Sequence, residues 1–286
     1  MSDLRLSGVR YELTRTLLHD LDLTFTAGRM TALSGPSGSG KTTLLSIAGG
    51  LLRPTTGEAT YAGAPMWRGT GDPRPEVSFV LQVYGLVPIL SARENVSVAL
   101  RARGVDPDEA DDRAAHALAR FHIADLGDRQ VEELSGGQMQ RVALARGLCV
   151  DAGVLLADEP TSELDEGNRG LVLAELRREA DRGAVVVVAT HDPAVVDACD
   201  DHHALDEGRL VDHTEPVHLP APGAHPDPRG GSTGGSPVTP SHDTPSGPAR
   251  HRVESTEVDP TPAVEQPAQT QGDDPYELFR RPPGSP

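Results

Sequence analysis

The chain has 286 residues, a formal net charge of −17 and two cysteines, Cys149 and Cys199. Its acidity argues against a nucleic-acid partner, because a nucleic-acid-binding surface is normally basic. The two cysteines show no metal-ligand spacing and are typical of buried thiols in a reducing cytoplasm. No apolar stretch approaches the roughly 18–20 residues that span a bilayer, and residues 1–4 lead into a strand-like pattern, not a secretory signal.

The composition divides the chain near residue 213. Residues 1–213 hold most of the apolar periodicity and 9 of the 25 prolines, whereas residues 214–286 hold the other 16 together with Gly, Ser and Thr. A segment with so few large apolar side chains cannot offset the entropy cost of ordering. We therefore predict one folded domain over 1–213 and a disordered Pro/Gly/Ser-rich tail over 214–286.

The folded part alternates strands and helices. Two strands with alternating apolar residues come first, as in an antiparallel sheet, and a short buried strand then leads into a glycine-rich loop. Helices dominate from about 85 to 150, with Ser91 and Asp106 as predicted N-caps. Predicted strands cover residues 4–13, 17–26, 30–33, 57–61, 77–81, 154–157, 185–189, 203–205 and 209–211, and predicted helices cover 42–52, 91–119, 137–150, 167–182 and 193–199. This order predicts an α/β fold with a parallel-sheet core, an antiparallel β subdomain and an inserted helical subdomain over about 85–150.

The glycine-rich loop has the phosphate-binding pattern G-x-x-x-x-G-K-T of P-loop NTPases. It consists of Gly35, Pro36, Ser37, Gly38, Ser39, Gly40, Lys41 and Thr42, and Thr43 follows on the predicted helix. Lys41 is the only lysine among 26 basic residues, at a position where a planar guanidinium would not fit between the β- and γ-phosphates. Backbone N–H groups and the helix N-terminus would bind the phosphates, and the Thr42 hydroxyl would bind Mg²⁺. The loop therefore predicts nucleotide binding.

A second motif ends the apolar strand at residues 154–157 with two carboxylates, Asp158 and Glu159. A strand core explains the apolar run, but two acids at its exit cost free energy unless they meet a cation or a proton. Asp158 is predicted to bind Mg²⁺, usually through water, and Glu159 to polarise the attacking water.

A third motif, Leu134-Ser135-Gly136-Gly137-Gln138, precedes a predicted helix. Taken alone, it reads as a helix cap with glycines for close approach. After the loop and before the Asp-Glu strand, it resembles the signature of the ATP-binding subunits of ABC transporters, and the resemblance covers residues 3 to about 213. It implies Mg-ATP as the nucleotide. It also implies that Ser135, Gly136, Gly137 and Gln138 complete the γ-phosphate site of a second subunit, either another copy of this chain or a similar ATPase.

The same resemblance assigns roles to three further residues. Gln82 is placed like the glutamine that senses Mg²⁺ and the membrane partner, and His191 like the histidine that contacts the γ-phosphate. A histidine after a strand is by itself more often structural. Tyr11 is placed like the aromatic platform for adenine, although a strand tyrosine in a core is nearly as frequent.

Residues 162–165 resemble the loop that couples the two sites of such a dimer, with Asp165 as its binding residue. Glu163 departs from the family, in which a small or amide residue is commoner, and this departure leaves the strength of coupling open. Gly147 lies inside the predicted helix 137–150, at a cost of about 1 kcal/mol relative to alanine.

Four short features are similar to the lipoprotein-release and macrolide-export branch of bacterial ABC proteins. They are Gly49-Gly50-Leu51, Leu86-Val87-Pro88, Glu94-Asn95-Val96 and the alanine at position 157. The resemblance implies an ATPase subunit of an exporter-like complex, attached to the cytoplasmic face of the membrane through a separate permease. The alternatives are the ATPase of an importer and a non-transport ABC ATPase. A chromosome or repair ATPase would need long coiled-coil or zinc-bearing insertions, and a regulator acting through the membrane is not distinguishable by sequence.

Overall fold

The computed structural model describes residues 2–211, so the tail predicted over 214–286 lies outside the described residues. The described strands are β1 (Leu4–Glu12), β2 (Thr16–Phe25), β3 (Met30–Ser34), β4 (Thr56–Tyr61), β5 (Ala64–Pro65), β6 (Val77–Val80), β7 (Val154–Asp158), β8 (Val185–Thr190), β9 (Asp201–Asp206) and β10 (Arg209–Val211). The helices are α1 (Lys41–Ala48), α2 (Ala92–Arg101), α3 (Pro107–Arg120), α4 (Gly136–Leu148), α5 (Glu166–Asp181) and α6 (Pro193–Asp197). Two 3₁₀ turns, Ala124–Leu126 and Val131–Glu133, lie between α3 and α4.

The larger sheet has the strand order β10-β9-β3-β8-β7-β6, and all of its pairs except β9–β10 are parallel. Every residue of β7 and β8 is buried, as expected for strands covered on both faces. Parallel strands end at one edge, and here Ser34, Val80, Asp158 and Thr190 end neighbouring strands. This edge brings together the segments that follow them in the chain.

The smaller sheet is antiparallel, with the order β2-β1-β4-β5. Its apolar residues form one buried cluster with residues of α1, including Leu44 and Ile47, and with residues of the parallel strands. The alternating pattern of β1 and β2 therefore produces a half-buried sheet, as predicted, with its inner face towards α1.

The inserted segment between β6 and β7 contains α2, α3 and α4, which confirms a helical subdomain. Ser91 caps α2 in a capping box with Glu94, and Asp106 accepts a hydrogen bond from the Asp108 N–H at the start of α3. The stretch predicted as helical over 91–119, with Asp106 as its second N-cap, consists of two helices divided by a turn at residues 102–106. Gly104 adopts φ +81° in this turn, a conformation that costs glycine little.

An ion-pair network joins this helical subdomain to the core. Arg120 of α3 donates to Glu175 over 2.7 Å and to Glu179 over 3.1 Å, both on α5. The two acids are nearly fully buried, and each also pairs with an arginine three residues later, Arg178 and Arg182 respectively. Removal of one partner from such a network leaves a buried charge uncompensated, so the network favours one position of α3 on the core.

Close packing of α4 on β6 explains Gly147. A Cβ atom at this position would lie 2.7 Å from Val80 Cγ2, and the Ser78 hydroxyl donates to the Gly147 carbonyl over 2.6 Å. The glycine allows the helix to approach the strand, which compensates for its low helix propensity.

Candidate active site

The glycine-rich loop connects β3 to α1 at the carboxyl edge of the parallel sheet. Gly35 and Gly40 have φ of +148° and +105°. A Cβ atom at Gly35 would collide with the Leu205 carbonyl, and one at Gly40 would lie 2.8 Å from Leu18 Cδ2. The loop therefore lies against backbone and apolar side chains and requires glycine at both positions. The buried Ser39 hydroxyl has no hydrogen-bond partner within the described residues. It can donate a hydrogen bond to an anion that binds at the loop.

The Lys41 side chain bends back over this loop. Its Nζ donates to the carbonyls of Gly35 over 2.7 Å and Pro36 over 3.0 Å. Burial lowers the pKa of Lys41, and the nearby charges of Glu159 and Asp158 oppose this shift. The predicted phosphate-binding ammonium thus lies at the loop, held by contacts that phosphate oxygens can replace.

Two of the predicted Mg²⁺ ligands, Thr42 and Asp158, are in direct contact. The Thr42 hydroxyl donates to Asp158 Oδ2 over 2.6 Å. Burial raises the pKa of Asp158, and the hydrogen bond from Thr42 opposes this shift. The described residues contain no group of three or more His, Cys, Asp or Glu side chains placed to hold a metal ion by themselves. Few protein donors suit Mg²⁺, which keeps several waters and takes oxygens from substrate phosphates, so a hydroxyl beside a carboxylate fits this ion.

Glu159 and His191 form a hydrogen-bonded pair. His191 Nδ1 lies 2.8 Å from Glu159 Oε1, with the Glu159 side chain 10% exposed and the His191 side chain 70% exposed. Glu159 adopts φ +49°, and its N–H donates to the Ala189 carbonyl over 2.9 Å. A non-glycine residue in this left-handed region costs free energy and is frequent at functional sites. The carboxylate therefore has a fixed position beside the exposed imidazole.

Sequence reasoning missed Gln140, a buried residue of α4. Its amide donates to the Glu159 carbonyl over 3.0 Å and accepts from the Glu163 N–H over 3.1 Å. These contacts join residues 19 and 23 positions apart, and the sequence carries no short-range signal for them.

The Ser135–Gln138 motif lies at the start of α4 and borders a cavity of about 240 Å³. Ser135 forms a capping box with Gln138: the Gln138 N–H donates to Ser135 Oγ over 3.4 Å, and the Ser135 N–H donates to Gln138 Oε1 over 2.9 Å. Asp165 caps α5 by accepting from the Asn168 N–H, which lowers the pKa of its carboxyl. The cavity is lined by Ser135, Gly137, Gln138, Arg141, Glu163, Leu164, Asp165 and Asn168. These lining residues include none of the glycine-rich loop.

Two predicted residues lie away from the contacts described so far. Gln82 is exposed, two residues after the end of β6. Tyr11 is only 7% exposed and belongs to the apolar cluster around α1, and burial raises the pKa of its hydroxyl. This burial agrees with the core position weighed for Tyr11 from the sequence, and the role as an adenine platform stays a prediction. Thr43 is partly buried in the first turn of α1.

Comparison with known families identifies the family of this chain. The sequence profile of the family described as "ABC transporter" matches residues 18–162, which include the glycine-rich loop, the Ser135–Gln138 motif, Asp158 and Glu159. The chain belongs to this family. It is an ABC ATPase, and the P-loop NTPase fold class predicted from the sequence is confirmed.

Three relatives illustrate the range of this family. LolD of Anaeromyxobacter dehalogenans, the ATP-binding protein of a lipoprotein-releasing system, is 39% identical over 218 residues, 72% of this chain and 91% of LolD. An ABC transporter ATP-binding protein of Mycobacterium tuberculosis (strain ATCC 25618 / H37Rv) is 42% identical over 191 residues, 64% of this chain and 57% of that protein. MacB 2 of Yersinia pestis bv. Antiqua, a macrolide export ATP-binding/permease protein, is 38% identical over 205 residues, 70% of this chain and 30% of MacB. The chain thus spans most of LolD but only part of the other two.

Solved structures show the same fold. A bacterial ABC transporter cassette solved as a dimer aligns with a TM-score of 0.66 at 30% identity, covering 72% of this chain and 96% of the cassette. The same cassette, solved as a dimer in a post-hydrolysis state with ADP and Pi, aligns with a TM-score of 0.65. The ABC ATPase fold of these cassettes thus extends over nearly three quarters of the chain.

Proposed function

We propose that this chain is the ATP-hydrolysing subunit of an exporter-like ABC complex and that it drives a separate membrane partner through ATP-dependent dimerisation. The observation that carries this proposal is the separation of the two phosphate-binding elements. None of the residues that line the cavity at the start of α4 belongs to the glycine-rich loop, which supports a second chain that brings its signature motif to each loop.

In each site, the loop of one chain binds and orients the nucleotide. The backbone N–H groups of residues 36–42 and the N-terminus of α1 contact the phosphates, and Lys41 exchanges its bonds to the loop carbonyls for phosphate oxygens. Thr42 and Asp158 would hold Mg²⁺, directly or through water, and Gln82 would join them from the segment after β6. When bound, Mg²⁺ neutralises negative charge on the phosphates.

Glu159 and His191 act on the reacting end of the nucleotide. A water oxygen bonds to the γ-phosphorus as the bond to the β–γ bridging oxygen breaks, and Glu159 polarises this water by attracting its proton. His191 contacts the γ-phosphate with its exposed imidazole while its Nδ1 keeps Glu159 in place. Ser135 and Gly137 of the other chain offer the N-terminus of α4 to the same phosphate.

The membrane partner is proposed from the relatives. LolD belongs to a lipoprotein-releasing system, and MacB joins an ATP-binding part to a permease in one chain. In residues 2–211, no helix combines the length and the apolar character needed to cross a membrane. A separate permease at the cytoplasmic face fits this arrangement, and an ATPase without a nucleic-acid partner fits the net charge of −17.

Replacement of Glu159 by glutamine tests the dimerisation. Glu159→Gln keeps the size of the side chain and its hydrogen bond to His191 but removes the carboxylate that attracts the proton. We expect the turnover rate to fall by about 10²–10⁴-fold and a dimer to accumulate with Mg-ATP but not with Mg-ADP. Size exclusion with light scattering measures the mass in both nucleotides.

Glu132→Gln, an exposed change of the same kind, is the control and should remain monomeric under turnover, like the wild type. A Glu159→Gln protein that stays monomeric with saturating Mg-ATP, or one that hydrolyses ATP at the wild-type rate, would refute the proposed function.

A further inference from the structure

Gln140 uses both ends of its side chain to join α4 to the segment after β7. It is 3% exposed and lies one turn after Gly136, where α4 begins. The Nε2 group donates to the Glu159 carbonyl over 3.0 Å, and Oε1 accepts from the Glu163 N–H over 3.1 Å. A primary amide is the side-chain group that supplies a donor and an acceptor together in a neutral form, so glutamine satisfies both backbone groups without burying a charge.

Several hydrogen bonds converge on the Glu159 carbonyl. Besides Gln140, the Ser162 hydroxyl donates to it over 3.2 Å and the Ser162 N–H over 3.4 Å. On its other side, the Glu159 N–H is bonded to the Ala189 carbonyl of β8. These bonds hold the left-handed backbone of Glu159, which has φ +49°. Without them, this backbone would relax to a conformation of lower free energy. The backbone orientation in turn directs the carboxylate towards His191.

Gln140 also lies on the helix whose first turn carries the signature motif. Ser135 caps α4 and borders the open cavity, whereas Gln140 is buried against Glu159 of the same chain. A helix transmits a displacement of its first turn to the next turn with little loss, because its backbone hydrogen bonds are continuous. In the proposed dimer, the first turn of α4 serves the nucleotide of the partner subunit, and Glu159 serves the nucleotide of its own chain.

We propose that Gln140 is a positioning residue that sets the backbone of Glu159 according to the position of α4, and so couples the closing of one ATP site to water activation in the other. This proposal rests on the proposed function. Without it, the two bonds of Gln140 would contribute only to stability, and their loss would lower the melting temperature without a specific effect on turnover.

Two substitutions separate these roles. Gln140→Met keeps the length of the side chain but removes both hydrogen bonds. We expect kcat to fall about tenfold or more, in line with the loss of both hydrogen bonds by which Gln140 fixes the segment that carries Glu159, while the affinity of the single chain for ATP changes less than about twofold. Gln130→Met, the same replacement at an exposed position, should leave both quantities at the wild-type value.

Gln140→Glu keeps the shape of the side chain and makes its hydrogen bonds depend on pH. The ionised carboxyl can accept from the Glu163 N–H but cannot donate to the Glu159 carbonyl, whereas the protonated carboxyl does both. The neighbouring charges are the acids Glu159 and Glu163, while Arg141 is engaged with the carbonyls of Gly137 and Phe121. Burial and these acids raise the pKa of the new carboxyl. The ratio of kcat for Gln140→Glu to kcat for the wild type should therefore rise as the pH falls from about 8 to about 6, and the ratio for Gln140→Met should not.

The outcomes distinguish this inference from the proposed function. A Gln140→Glu ratio that does not change with pH, or a Gln140→Met protein with wild-type kcat, overturns the positioning role. Equal losses of ATP affinity and kcat overturn it as well. If Gln140→Met does not fold, the pH ratio of Gln140→Glu decides alone. The Glu159→Gln dimer assay is independent of these kinetics, so failure of the dimer refutes the proposed function and failure of the ratio refutes only the coupling.

Discussion

The glycine-rich loop and the start of α4 offer similar groups to an anion, but their surroundings differ. At the loop, Lys41 bonds to Gly35 and Pro36, Thr42 bonds to Asp158, and these side chains are largely withdrawn from solvent. The N-terminus of α4 instead borders an open cavity whose lining includes two acids, Glu163 and Asp165. The first region is organised within one chain, whereas the second presents a helix end that, in the proposed dimer, contacts the phosphate bound by the partner chain.

This difference indicates where electrostatics can control the ATPase. At the loop, Lys41 has to exchange its hydrogen bonds within the chain for bonds to phosphate. The rest of the loop already has the conformation that binds phosphate. At the cavity, a phosphate gains the positive end of α4 but approaches the Glu163 carboxylate. Changes of charge at the cavity should therefore act on dimerisation and turnover, while changes at the loop should act on nucleotide binding itself.

The largest effect is expected from a negative charge at Ser135. Aspartate and asparagine are both good N-caps, so Ser135→Asp and Ser135→Asn should keep α4 intact and differ mainly in charge. We expect Ser135→Asp to hydrolyse ATP at least about thirtyfold more slowly than Ser135→Asn, since the carboxylate repels the γ-phosphate at short range. Steady-state ATPase rates and binding of a fluorescent nucleotide to the single chain measure this, and the binding should be nearly equal. Equal turnover of the two variants would remove the distinction between the two regions.

A smaller effect in the opposite direction is expected from Glu163. Its carboxylate lies beside Gly136, where a Cβ atom would be 3.4 Å from Glu163 Oε2, and its charge adds to burial in raising the pKa of Tyr84. In the Glu159→Gln background, Glu163→Gln should tighten the ATP-dependent dimer about threefold to tenfold at low salt, and less at high salt because exposed charges are screened. Sedimentation at several protein concentrations gives the dimer Kd. Glu132→Gln serves as the charge control, and an unchanged Kd would show that Glu163 does not act on this cavity.

The smallest effect is expected on the stability of the loop region. Burial raises the pKa of Asp158, so the folded protein binds this proton more tightly than the unfolded chain, and ionised Asp158 destabilises the fold above that pKa. Asp158→Asn should raise the melting temperature of the nucleotide-free protein by about 2–5 °C near pH 8, and the gain should shrink as the pH falls. Thermal melts by circular dichroism at several pH values measure it, with the exposed change Asp112→Asn as control. A lower melting temperature for Asp158→Asn would mean that its ionised carboxylate stabilises the loop.

The sequence was sufficient to predict the fold class, because the central strands β3, β7 and β8 of the parallel core are mainly apolar runs that end at a motif or a turn. It also predicted both helix caps at Ser91 and Asp106, whose partners lie two or three residues away. The Asp106 cap implies that a second helix starts inside the helical stretch 91–119, but the apolar pattern continues across residues 102–106 and does not mark where α2 ends.

Contacts between distant residues account for what sequence reasoning missed. Gln140 reaches Glu159 and Glu163 only after α4 packs on the core, and Gly147 becomes necessary only because β6 lies against α4. The burial of Tyr11 depends on the packing of β1 against α1. The roles assigned to Gln82, His191 and the Ser135–Gln138 motif remain predictions, because they concern contacts with a nucleotide and a second chain.

The most direct test of the central claim mixes two inactive chains. Lys41→Ala removes the ammonium of the loop and leaves the signature intact, and Ser135→Asp does the reverse. If each site combines the loop of one chain with the signature of the other, a mixed dimer contains one intact site, and an equal mixture should recover roughly a quarter of the wild-type sites. Single-turnover hydrolysis of ATP, which one intact site can complete, measures this recovery against each variant alone. A mixture that hydrolyses no more ATP than its two components would contradict the account, because it would place the loop and the signature of each site in the same chain.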